Sequence, residues 1–175
     1  LTLCATGDLV VRDMFYDGRP EQEPGAIVCR VAPSFLRFGN LELPASRGDR
    51  DLLQRITDFA LTHFFTELGA PSRESREGML REIARRTGAL VAHWQAVGFV
   101  HGVMNTDNLS LLGLTIDYGP YGWVDDFDFG WTPNTTDAAH RRYAFGNQPG
   151  IALWNVARLG EAMLPLFDDE ESVVE

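Results

Sequence analysis

Cysteine, positive charge and long apolar runs are all in short supply in this sequence. Its 175 residues include two cysteines, Cys4 and Cys29. That is too few for a disulfide scaffold, and no Cys/His set stands at metal-binding spacing. Both cysteines sit in apolar runs, the usual setting of reduced, buried thiols. No stretch approaches the ~18 apolar residues of a membrane-spanning helix, and LTLCATGDLVV lacks the basic start of a secretory signal. Lysine and arginine number 15 against 25 acidic residues, for a net charge of −10. Such a chain repels nucleic-acid backbones and anionic lipid, so neither nucleic acid nor membrane is expected as a partner. The sequence opens without Met in mid-strand, which leads us to expect a preceding segment. Cytoplasm is the default location, with mitochondria the alternative for a eukaryotic source.

What is present suits one globular domain or a large part of one, with 45% hydrophobic and 23% charged residues. Apolar runs predict strands over Leu1–Ala5, Leu9–Tyr16 and Ala26–Ala32, separated by Thr6-Gly7-Asp8 and by a polar loop from Asp17 to Gly25. Pro33 ends the third. Residues 34–47 carry no clear period. From Asp49 onward Leu52, Leu53, Ile56, Phe59, Ala60 and Phe64 recur at helical steps, and Gly69-Ala70-Pro71 stops the pattern. A long amphipathic helix follows, with Ser75 as the expected N-cap and Gly98 as the expected C-terminal stop. The apolar run Leu109–Ile116 predicts a bent strand or short hairpin. Residues 121–147 predict a long ordered loop, 150–164 a last helix, and Asp168–Glu175 an acidic tail. The fold class expected is α+β.

The order of long helix, polar loop, apolar run and acidic turn is the order of a kinase-like catalytic segment. There, H-x-D-x-x-x-x-N is followed by D-F-G. His101 and Asn108 match the ends of the first pattern, and Asp117-Tyr118-Gly119 matches the second. The position of the usual base holds Val103, which cannot accept a proton. Asp107 is the spare carboxylate and becomes the candidate base, while Asn108 and Asp117 offer the hard oxygens that Mg²⁺ prefers. A second Asp-Phe-Gly, Asp128 to Gly130, lies in a Gly/Asp/aromatic loop and reads as a turn. Arg30 and Arg37, set among apolar residues, are candidates for phosphate, with ion pairing to local acids such as Glu42 as the plainer alternative. Phosphotransfer to a small molecule or protein, and nucleotide binding without catalysis (a pseudokinase), remain open on the residues alone.

The runs HGVMNTDN, LGLTIDYGP, DDFD and RRYAFGNQPGIALWNVARL resemble the SelO (selenoprotein O, YdiU) family of protein adenylyltransferases, as do GDLVVRDMFYDG and GAIVCRVAPSFLRFGNLELPA. The resemblance implies a protein-kinase-like fold, mainly the helical C-lobe over residues 34–175, with N-lobe strands and hinge over 1–33. The catalytic loop is then 101–108 and the metal turn 117–119. It further implies AMP transfer from ATP to Ser, Thr or Tyr hydroxyls of proteins, with Mg²⁺ or Mn²⁺. Asp107 is then the proton acceptor, Asn108 and Asp117 hold the metal, and Arg30, Arg37 and Asp117 bind the nucleotide. A glycine-rich loop, a strand lysine and the family's C-terminal extension have no counterpart in these residues, so the 175 residues alone are expected to be inactive or very weak.

Overall fold

In the computed structural model, which describes residues 2–14 and 17–167, the chain divides into two compact units, 1–34 and 35–175. The ends of the expected strands at Leu1 and at Phe15 and Tyr16, and the acidic tail, lie outside the described residues.

The first unit is an antiparallel ribbon of β1 (Thr2–Arg12) and β2 (Glu21–Cys29). Two expected strands are therefore one. Pairing runs from Thr2 opposite Cys29 to Ala5 opposite Ala26, then resumes with Leu9 opposite Pro24. Between these, Thr6 Oγ1 donates to the Gly25 carbonyl at 3.1 Å and accepts the Asp8 N–H at 3.2 Å, while Gly7 adopts φ +81°. The hydroxyl substitutes for the interrupted ladder, so Thr6-Gly7-Asp8 is an irregularity within a strand, where sequence reading expected a turn. The expected loop from Asp17 likewise gives way to β2 at Glu21. Cys4 and Cys29 are exposed, against the burial expected of them, because a two-stranded ribbon has no layer of its own to cover either face.

The second unit is mainly helical. Residues 34–47, without clear period in the sequence, contain α1 (Gly39–Ser46). Then come α2 (Arg50–Phe64) and α3 (Arg73–Ala96), a small pairing of β3 (Phe99–Val100) with β4 (Gly122–Trp123), and α4 (Gln148–Met163). Asp49 caps α2 by accepting the Leu52 N–H. Ser72, not Ser75, caps α3: the two serines form a reciprocal capping box in which Ser75 is the third helical residue. Arg76 of α3 holds Asp58 of α2 through both carboxylate oxygens at 2.8–3.0 Å. Gly98, at φ +68°, follows the C-cap Val97 and ends α3 as expected.

The core gathers Phe38 and Leu41 of the first segment, Leu53 and Leu61 of α2, Met79 and Ile83 of α3, and Leu159 and Met163 of α4. Leu109 and Leu111 also enter it, but the apolar run Leu109–Ile116, expected to be a bent strand or short hairpin, forms neither. Its backbone makes a single bridge, Ser110 with Arg37. It then passes so close to α3 at Gly113 (φ +66°) that a Cβ there would stand 2.6 Å from Arg86 Cβ. That approach leaves no room for a pairing strand. A smaller cluster sets Val91 and Trp94 against Phe99, Met104 and Ala152. Trp123 and Trp154 are half exposed. Trp154 lies under the Arg142 and Arg158 guanidinium groups.

Phe38 is fully buried, so Phe38→Ala should lower stability by about 3–5 kcal/mol, against about 1 kcal/mol for the cap change Ser72→Ala. Urea denaturation of this chain checks both. Similar losses for the two would contradict the packing described.

Candidate active site

The segment from Phe99 to Leu109 runs out of β3 and lies between α3, α4 and the 121–147 loop. Its backbone polar groups are met by side-chain amides. Gln148, the first residue of α4 and fully buried, accepts the His101 N–H at 3.0 Å and donates to the Phe99 carbonyl at 2.9 Å. Two turns along the same face, Asn155 donates to the carbonyls of Met104 and Ile151, both at 2.8 Å. Asn134 donates to the Gly102 carbonyl at 3.0 Å. Buried backbone groups need such partners in the absence of a ladder, and α4 supplies them from a rigid element.

Asn108 donates through Nδ2 to the Val103 carbonyl at 2.8 Å, which turns its Oδ1 the other way. Val103 in turn gives its N–H to His101 Nδ1 at 3.3 Å. That leaves the proton of a neutral imidazole on Nε2. His101 is buried against Trp94, with ring centres 5.4 Å apart. Burial pushes its pKa below the usual 6.5, while the Asp117 carboxylate and backbone act in the opposite sense. Asp117 is part-exposed and faces Arg37 at 3.7 Å. Direct contacts therefore link Asn108 to Val103 and His101, and Asp117 to Arg37, while the Asp117 charge bears on the His101 imidazole.

Asp107 is exposed, at the middle of a single 3₁₀ turn, Thr106–Asn108. Its Oδ1 lies over the first residue of α1. A Cβ on Gly39 would stand 2.0 Å from that oxygen, so only glycine leaves the carboxylate where it is. Thr106 donates its hydroxyl to Glu42 of α1, pinning the same turn. Arg37 gives its backbone N–H to Asn40 Oδ1 at 2.8 Å, and its side chain meets Asp117, not the Glu42 weighed as its alternative partner. Arg30 belongs to the first unit, one residue beyond β2, and is exposed. The second Asp-Phe-Gly is a turn: Asp128 Oδ1 accepts the Gly130 N–H at 2.8 Å, and Phe129 is exposed.

Among the described residues no group of three or more His, Cys, Asp or Glu is placed to hold a metal ion. Asn108 and Asp117 offer one amide oxygen and one carboxylate, the two donors the sequence reading assigns to a metal. Such a set suits Mg²⁺, which keeps several waters and takes the rest of its shell from phosphate. Sequence reasoning missed Gln148, Asn155, Asn134 and Gly39. The available signal was the spacing of Gln148 and Asn155, seven residues and so two turns apart on one helix face.

The family model for protein adenylyltransferase SelO matches residues 1–173. A protein nucleotidyltransferase YdiU of Xanthomonas campestris pv. campestris (strain 8004) is 64% identical over 169 residues, covering 97% of this chain and 33% of that protein. One from Xanthomonas oryzae pv. oryzae (strain MAFF 311018) is 63% identical over 170 residues, with 97% and 33% covered. One from Azoarcus sp. (strain BH72) is 61% identical over 173 residues, with 99% and 33% covered. The chain thus spans about a third of the length of these relatives. Among the described residues no helix is long and apolar enough to cross a membrane.

The lowered pKa of His101 has a signed consequence. Below 6.5 the unfolded chain takes up the proton more readily than the folded one. Stability is therefore full above that pH and falls as the pH drops toward the lowered folded value. Between pH 7.5 and 5.5, above the carboxylate range, His101→Gln should flatten the decline in melting temperature relative to the unaltered chain. An equal slope in both would contradict a buried neutral imidazole.

Proposed function

We propose, since this chain belongs to the SelO family of protein adenylyltransferases, that it carries the base and metal side of a kinase-like site moving AMP from ATP to a protein hydroxyl. The observation that supports this most is the seating of the Asp107 carboxylate over Gly39, beside an Asn108 tied through Val103 to His101, with Asp117 facing Arg37. In this reading the Ser, Thr or Tyr hydroxyl oxygen attacks the α-phosphorus of ATP. The bond from that phosphorus to the bridging oxygen breaks, pyrophosphate leaves, and the hydroxyl proton passes to Asp107.

Asn108 and Asp117 would hold Mg²⁺ or Mn²⁺, which when bound supplies charge neutralisation for the phosphates. Arg37 and Arg30 would take phosphate oxygens through paired N–H donors. These 175 residues include no lysine, so any phosphate contact by a permanently cationic side chain here is a guanidinium. Arg37 and Asp117 neutralise one another at 3.7 Å. Were Asp117 to hold a cation, Arg37 would be left for an anion, so metal and phosphate would bind together. The bacterial relatives fit a cytoplasmic reaction rather than a mitochondrial one.

Mass spectrometry of acceptor protein after incubation with ATP and a protein of the relatives' full length should show added AMP. Added phosphate alone, or no product despite metal-dependent ATP binding, would overturn the proposal. Asp107→Ala should lower turnover by roughly 10² to 10⁴ and leave nucleotide binding in place. Gly39→Ala should displace the carboxylate and lower turnover by up to roughly 10²-fold with little change in melting temperature. Unchanged turnover in either variant would remove Asp107 from the role of base.

A further inference from the structure

The exposed Asp107 carboxylate faces an open groove. It lines a cavity of about 590 Å³ between α1 and α4, together with Gly39, Glu42, Leu43, Arg158 and Glu161. Three carboxylates against one guanidinium leave this lining two charges negative. The guanidinium is already engaged: Arg158 pairs with Glu161 one turn along α4 and stacks over Trp154. Glu42 is held by the Thr106 hydroxyl, so its charge is fixed in place beside the base. Leu43 adds an apolar surface of the kind on which the stem of a long cationic side chain lies.

Resting on the adenylyl-transfer reading, we propose that this cavity is the acceptor subsite, and that it selects a polypeptide carrying an arginine or lysine close to the modified hydroxyl. The geometry leaves few alternatives for what enters. A hydroxyl that gives its proton to Asp107 must reach the carboxylate, and the chain on either side of it must cross ground lined by Glu42 and Glu161. A cation there meets opposite charge, whereas an acidic neighbour meets two like charges beside the base. At about 3.5 Å per extended residue, the cationic side chain falls within about three residues of the hydroxyl. Glu161, half exposed and paired with Arg158, is then a specificity residue.

The test uses a protein of the relatives' full length and pairs of serine peptides identical except for arginine or glutamine near the serine. The unaltered enzyme should favour the arginine peptide by about fivefold in kcat/KM, mostly through KM, as befits a part-exposed ion pair. Glu161→Gln, alone or with Glu42→Gln, should erase the preference, and Glu161→Arg should turn it toward a peptide with glutamate at the same place. Transfer that ignores the neighbouring charge, or a preference that survives the Glu161→Gln and Glu42→Gln pair, overturns the acceptor assignment alone. Failure to transfer AMP to any acceptor overturns adenylyl transfer itself, and this assignment with it.

Discussion

The loop that carries Asp107 and Asn108 belongs to no sheet ladder beyond β3, and its shape depends on α4. Gln148 satisfies the backbone on both sides of Val100, and Asn155 takes the Met104 carbonyl. Each of these amides is fully buried. Removing one partner leaves a buried backbone group unsatisfied, at about 1–3 kcal/mol each. It would also release the segment from the helix that sets its height. The active-site turn is thus positioned by two side chains that touch no substrate.

This explains which parts of the protein were legible from sequence. Helices α2, α3 and α4 show in the apolar period and caps because local preference and burial agree there. The catalytic segment shows in its spacing because His101, Asn108 and Asp117 stand at fixed intervals along one chain. The misreadings share a cause: burial set by distant partners. Leu109 to Ile116 is apolar because it crosses the core beside α3, not because it pairs as a strand. Thr6-Gly7-Asp8 has turn residues, yet the Thr6 hydroxyl bridges the gap and keeps the strand continuous. Cys4 and Cys29 sit in apolar runs, but apolar character alone cannot say whether a second layer covers them. Gly39 gave no signal at all, because its reason for being glycine is a carboxylate 68 residues away in sequence.

Of six buried side-chain polar atoms without a hydrogen-bond partner among the described residues, two lie on this loop and a third on the α4 face beside it. His101 Nε2, Asn105 Oδ1 and Asn155 Oδ1 are buried and make no hydrogen bond of ordinary geometry, while most buried polar groups elsewhere are paired. Such groups store free energy that a well-packed loop would not tolerate, and they cluster where local rules give way to a site's needs. The two along the loop itself, at His101 and Asn105, flank the Val103 backbone that both His101 and Asn108 use.

That backbone also accounts for the departure from the kinase pattern. The residue two after the histidine works here through its main chain: its N–H goes to His101 Nδ1 and its carbonyl receives Asn108 Nδ2. Its side chain turns toward the 117–119 turn, where a Cβ on Gly119 would lie 3.8 Å from Val103 Cγ2. A carboxylate at 103 would therefore approach Asp117 and place like charges together on the metal side of the site. Valine there is apolar and leaves Asp117 to Arg37. In the proposed reading the base is displaced four residues along the loop, to 107, where the close passage over Gly39 gives the carboxylate a separate seat beside the groove between α1 and α4. On that reading, moving the carboxylate along the loop would separate proton acceptance from metal binding and turn the acceptor side of the site toward the helices rather than toward the 117–119 turn.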